Sequence, residues 1–116
     1  MKIQVTCDEA LAAELDELDP PALLESALVR FESRIAAIQL SVIDANGPKG
    51  GVDKECRCVL KLQGLPTLVI SDRDENLGAL LHRVADRAAH AVSRQVDRKL
   101  KPAATRTRKG RGELDQ

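Results

Sequence analysis

The first seven residues alternate: Met1, Ile3, Val5 and Cys7 fall on one side, Lys2, Gln4 and Thr6 on the other, which predicts a strand. Residues 8–18 (DEALAAELDEL) are acidic and compatible with either a short helical turn or a loop. Asp19-Pro20-Pro21 predicts a helix start, with Asp19 as N-cap and proline in the first turn. That helix is expected to run to about Arg34, burying Leu24, Leu28, Phe31 and Ile35 at helical spacing. Residues 36–45 predict a second strand with Ile38, Leu40 and Val42 inward. The breaker-rich NGPKGGVD segment that follows predicts a loop over 46–53.

Residues 54–63 predict a third strand with Cys56, Cys58, Leu60 and Leu62 on one face; Gly64-Leu65-Pro66 predicts a turn, and residues 67–71 a fourth strand. Asp72-Arg73-Asp74-Glu75 reads as the cap of a second helix, with Glu75 three positions after Asp72. Leu77, Leu81, Val84, Ala88, Val92, Val96 and Leu100 give that helix one apolar stripe, and Pro102 stops it. About 27 residues of helix span roughly 40 Å. The order β-α-β-β-β-α predicts an α+β two-layer sandwich: a four-stranded sheet, its first two strands parallel, with two helices on one face. Residues 1–101 form the expected domain and 102–116, nearly devoid of apolar side chains, a disordered basic tail.

Composition adds two constraints. The chain has 116 residues, 43% of them hydrophobic, but Phe31 is the lone aromatic, so the core must be aliphatic. The formal charge is zero, yet residues 1–53 hold four Lys/Arg against ten Asp/Glu (−6), and residues 54–116 hold fourteen against eight (+6). This asymmetry points to a basic surface with an anionic partner. Three cysteines, with no secretory signal and no apolar run long enough for a bilayer, lead to the expectation of a cytoplasmic protein.

The strongest chemical pattern is basic. Arg83, Arg87, His90, Arg94, Arg98 and Lys101 recur at intervals of three and four, so they share a helix face away from the apolar stripe. Asp86 and Asp97 are read as lying outside this row. Stacked like charges cost helix stability, which an anionic ligand relieves; guanidinium pairs well with phosphate. With the lone aromatic, Phe31, expected on the apolar stripe of the first helix, any RNA binding must rely on phosphates and shape. Lys101, Arg106, Arg108, Lys109 and Arg111 could extend the contact, and Lys49 at the loop tip could touch a backbone. Cys56-x-Cys58 is a weak metal signal: four zinc ligands would need Cys7 and one of His82 or His90, whereas period-two spacing favours core packing. The glycine loop lacks the spacing and Lys-Ser/Thr of a phosphate loop, and no nucleophile–base set stands out, so no enzyme, cofactor, metal or small-molecule substrate is expected.

The opening MKIQVT, the segment Asp44–Cys56 containing NGPKGGVDK-x-C, and the region Glu75–Arg98 resemble the ribosome hibernation promoting factors, also called ribosome-associated translation inhibitors. The likeness covers about residues 1–100. It implies the same fold, binding to small-subunit ribosomal RNA near the decoding centre across the mRNA channel and the A and P tRNA sites, inhibition of translation, and preservation of idle ribosomes in starvation or stationary phase. It implies RNA contact for Arg83, Arg87, Arg94, Arg98 and Lys101. Where family members carry a basic first helix, residues 8–19 here hold six acids, leaving Arg30 and Arg34 as basic candidates there. The chain also stops short of the dimerisation domain of long members, so it is expected to be a monomer or weak homodimer that does not pair ribosomes. The alternative is a protein-interaction module of the same fold that uses its acidic half.

Overall fold

The computed structural model describes residues 1–44 and 53–100, apart from the side chains of residues 99 and 100. Lys49, the glycine loop, Leu100 as a stripe member, Lys101 and the proposed tail lie outside the described residues.

Four strands form one sheet in the order β1-β2-β3-β4: β1 is Lys2–Cys7, β2 Ile35–Asp44, β3 Lys54–Leu62 and β4 Leu68–Asp74. β1 runs parallel to β2, and β2, β3 and β4 are antiparallel neighbours. The alternation read from the sequence is realised. Ile38, Leu40 and Val42 of β2 and Cys56, Cys58, Leu60 and Leu62 of β3 are buried beneath the helices, while Gln39, Arg57 and Lys61 are exposed. On β1, Ile3 and Val5 are only half-buried and Cys7 is exposed, as befits an edge strand. The two-layer α+β plan is therefore present.

The crossover between β1 and β2 differs from a single helix. A 3₁₀ turn over Glu9–Leu11 leads into α1, Ala12–Leu18, held down by buried Leu11 and Leu15 at i,i+4 amid the acids. Asp19 adopts a left-handed φ of 52°. Its N–H donates to the Leu15 carbonyl at 2.9 Å, closing α1, and its carboxylate accepts from Ala22 N–H at 3.4 Å, opening α2 (Pro20–Leu28). Aspartate tolerates this conformation better than most residues, so one side chain serves as both stop and start.

The helix expected to reach Arg34 ends at Leu28. Val29–Arg34 is 3₁₀, with Phe31 at φ −112°, ψ 16°. The competing demand is Ile35, which starts β2 opposite Leu62 and cannot also end a helix. Leu24, Leu28 and Ile35 are buried as expected, whereas Phe31 is only half-buried.

The second correction concerns residues 72–75. Asp72, Arg73 and Asp74 continue β4, paired with Cys56, Glu55 and Lys54, and form no helix cap. Asn76 caps the helix instead: its Oδ1 accepts from Ala79 N–H at 2.8 Å. α3 then runs Leu77–Leu100, 24 residues or about 36 Å. Leu77, Leu81, Val84, Ala88, Val92 and Val96 are buried as the stripe predicted, and Leu80 and Ala85 widen it. Among the described residues no helix is long and apolar enough to cross a membrane.

Candidate nucleic-acid interface

α3 lies beside β4, the edge strand opposite β1, and this neighbour divides the basic stripe into two halves. Arg83 turns toward the strand: Nε donates to Asp72 Oδ2 at 2.7 Å, Nη1 to Asp74 Oδ2 at 3.1 Å and Nη2 to the Arg73 carbonyl at 2.9 Å. Arg87 follows, its Nη1 donating to the Ser71 carbonyl at 2.9 Å and to Asp72 Oδ2 at 3.2 Å. The cations expected to wait for an external anion thus meet carboxylates of their own chain. The Arg83 guanidinium, then the Arg73 N–H, hold the Asp72 carboxyl down at about 2. Asp74 is also lowered, first by the Asn76 N–H and then by Arg83, whose own value is raised by both carboxylates.

Farther along α3 the picture changes. Arg94 and Arg98 are exposed, and among the described residues neither has an ion-pair or hydrogen-bond partner. With Arg87 and His90 they line an open groove of about 620 Å³ whose floor includes Leu68, Ile70 and Ala91. Asp86 lines the same groove, so it does not stand apart from the basic row as the spacing suggested. The net effect is a gradient: neutralised cations near the helix start, open cations toward its end.

Arg30 and Arg34 sit in the 3₁₀ segment, not on a regular helix. Arg30 is exposed with its guanidinium carbon 4.9 Å from the Phe31 ring centroid, and Arg34 is half-buried. The sheet register locates them. Ile35 pairs with Leu62, and Leu60 with Leu68, a groove residue. Arg30, Arg34, Arg94 and Arg98 therefore approach the same end of the sheet, whereas Asp72 and Asp74 mark the other.

Cys56 and Cys58 are free and fully buried. Burial pushes the Cys56 thiol up to about 12, with further contributions from Cys58 and Asp72, and pushes Cys58 to about 11. Metal ligation needs thiolates, and among the described residues no three His, Cys, Asp or Glu side chains gather to hold an ion.

Sequence reasoning missed the partnership of Asp72 and Asp74 with the stripe. A signal was present: Leu68, Ile70, Asp72 and Asp74 keep strand alternation, and the acids stand 11 and 9 positions before Arg83.

No protein-family model matches the chain, and no curated protein is detectably similar to it. Solved structures share its fold. One is a ribosomal subunit interface protein from Coxiella burnetii, with TM-score 0.58 and 18% identity, covering 84% of this chain and 99% of that one. Another is the N-terminal domain of Protein Y from Thermus thermophilus, with TM-score 0.53 and 16% identity, covering 81% of this chain and 98% of the other. At these identities the likeness is one of architecture, and it extends over most of the described chain.

Proposed function

We propose that this protein is a ribosome-associated translation inhibitor that binds small-subunit ribosomal RNA near the decoding centre and occupies mRNA and tRNA sites. The observation that carries the reading is the open half of the α3 stripe: Arg94 and Arg98, unpaired among the described residues, beside His90 in an open groove. Unpaired guanidiniums along a groove suit phosphate oxygens, and the absence of exposed aromatic side chains suits backbone recognition. The shared architecture with a ribosomal subunit interface protein supports the ribosome as the source of that RNA. Arg30 and Arg34 approach the same end and join the contact. Arg83 and Arg87 act chiefly as anchors to β4 and contribute to RNA only by loosening their carboxylate partners.

The test is co-sedimentation with purified small subunits across a salt series, paired with in vitro translation. The expected result is binding whose log–log salt slope grows by roughly 0.7–0.9 per phosphate contacted, together with inhibition. A second reading, a protein-binding module of the same fold, draws on one observation: α1 exposes Glu14, Asp16 and Glu17 to solvent. Ribosome binding absent at every salt concentration would favour it.

A further inference from the structure

The helices cover one face of the sheet; among the described residues the other face is open, and its charge departs from that of the chain around it. Sixteen Asp/Glu occur among the described residues, but strand alternation places only Glu55 on the open face. That carboxylate lies 3.8 Å from Arg73 on the same face. Four cations, Lys2, Arg57, Lys61 and Arg73, stand exposed there. A region whose acids outnumber its bases thus presents a net positive sheet face.

One row of neutral positions matches the same chemistry. One row crosses all four strands as Thr6, Ser41, Arg57 and Ser71. Three hydroxyls flank one guanidinium with no carboxylate in the row, and Thr6 Oγ1 donates to Ser41 Oγ at 3.2 Å. The row that contains Lys2 and Lys61 has only Ala37 between them, so neither ammonium is shadowed by a bulky neighbour. Arg, Lys, Ser and Thr are the side chains that contact nucleic-acid phosphates, and strands 4.7–4.9 Å apart bring such rows into one continuous surface.

We propose that the open sheet face is a second phosphate-binding surface, which engages an RNA backbone through Arg57, Lys61 and Lys2. This inference rests on the reading of the protein as an RNA binder and extends it: RNA lies on both sides of the domain, one segment along α3 and another across the sheet. Ile43, Val59 and Val69 interrupt the polar rows, with Ile43 and Val69 exposed, but none of them opposes the charge. An acidic protein segment is the competing occupant, and the experiment separates it from RNA.

The experiment uses the full chain in four forms: parent, R57E/K61E, R94E/R98E and the combination. Each is tested against purified small ribosomal subunits and against a 20-base-pair RNA duplex over a salt series, with circular dichroism and thermal melting as folding controls. Arg57 and Lys61 are exposed, so the fold is expected to persist. R57E/K61E is expected to weaken binding to both probes at least about tenfold. It should also flatten the log–log salt slope by roughly 1.4–1.8, two phosphates' worth, with the effect compounding that of R94E/R98E. If R57E/K61E matches the parent while R94E/R98E fails, the sheet proposal is overturned and the α3 reading stands. If R57E/K61E fails and R94E/R98E matches the parent, the sheet face stands and the α3 reading falls. If R57E/K61E loses subunit binding but keeps duplex binding and salt slope, the face contacts protein and the proposal is overturned. A parent that binds neither probe overturns both.

Discussion

Three thiols in one chain acquire two different chemistries from their strand positions. Cys7, on β1, is exposed, while Cys56 and Cys58 on β3 are sealed under the helices. At pH 7.5 an aromatic disulfide reagent is therefore expected to label one thiol promptly and the other two only in denaturant; rapid labelling of all three would place the β3 pair outside the core. Because burial raises Cys56 to about 12 and Cys58 to about 11 from an ordinary 9.0, their thiol forms favour the fold fully below about pH 9. That contribution disappears as pH climbs toward 11–12, so alkaline melting should show a loss of stability that a Cys56→Ala/Cys58→Ala variant does not share. Asp72 has the opposite sign. Its carboxyl is lowered from 3.8 to about 2, so the Arg83 contact supports the fold above about pH 4 and is lost as pH falls toward 2. Asp72→Asn should flatten the acid limb of a melting-temperature profile. It should also loosen Arg83, which keeps Asp74 and the Arg73 carbonyl, and Arg87, which keeps the Ser71 carbonyl, raising affinity for RNA modestly at pH 7; unchanged acid sensitivity would mean that the pair is too solvated to matter.

At the scale of elements, α3 shows how far a residue pattern reaches. Its apolar stripe was readable because a 3.6-residue period survives in any packed helix, and the β2 and β3 alternation was readable for the matching reason. The boundaries were not. Asp72-Arg73-Asp74-Glu75 satisfies the local chemistry of a helix cap, but Asp72, Arg73 and Asp74 complete a ladder with Cys56, Glu55 and Lys54, and Lys54 Nζ also donates to the Glu75 carbonyl at 3.1 Å. Tertiary pairing outweighed the local signal. Likewise nothing around Phe31 announces the change from α to 3₁₀; it follows from the start of β2 at Ile35, known only once Leu62 lies opposite. Of the candidate site, the row Arg83, Arg87, His90, Arg94 and Arg98 along α3 was readable, whereas its division by Asp72 and Asp74 required the sheet. That division changes the sensible mutation. Reversing Arg87 would place a carboxylate beside Asp72 and confuse folding with binding, so the clean pair is Arg94→Glu/Arg98→Glu. Charge-assisted contacts are worth roughly 1.5–3 kcal/mol each. The double reversal should therefore weaken small-subunit binding at least about a hundredfold by co-sedimentation, with an unchanged melting temperature. Parent-like binding by a folded double variant would remove α3 from the interface. In the same helix layer, Leu28→Ala should cost about 2–5 kcal/mol by chemical denaturation, because that side chain is wholly buried between α2 and its neighbours.

At the scale of the whole molecule, the acidic crossover competes with the basic surfaces. Residues 1–53 carry −6, and α1 presents Glu14, Asp16 and Glu17 to solvent, while Arg94, Arg98 and the open sheet face offer positive charge elsewhere. A polyanion approaching this protein meets both fields. Solvent-exposed charges more than about 8 Å apart are largely screened at physiological ionic strength, so the acids should act chiefly on encounter and only weakly on the bound state. Glu14→Lys/Asp16→Lys changes the net charge by +4 without touching a buried side chain. Under the RNA-binding reading it should speed association with small subunits several-fold at about 0.05 M salt, leave dissociation nearly unchanged, and lose most of its effect by about 0.3 M, where the screening length is shorter still. Stopped-flow association at several salt concentrations reads all three quantities. If the variant instead dissociates faster, or loses binding at every salt concentration, the acidic surface is itself in contact with a partner. α1 would then be an interface for a basic protein, and the protein-binding reading would overtake the RNA-binding one.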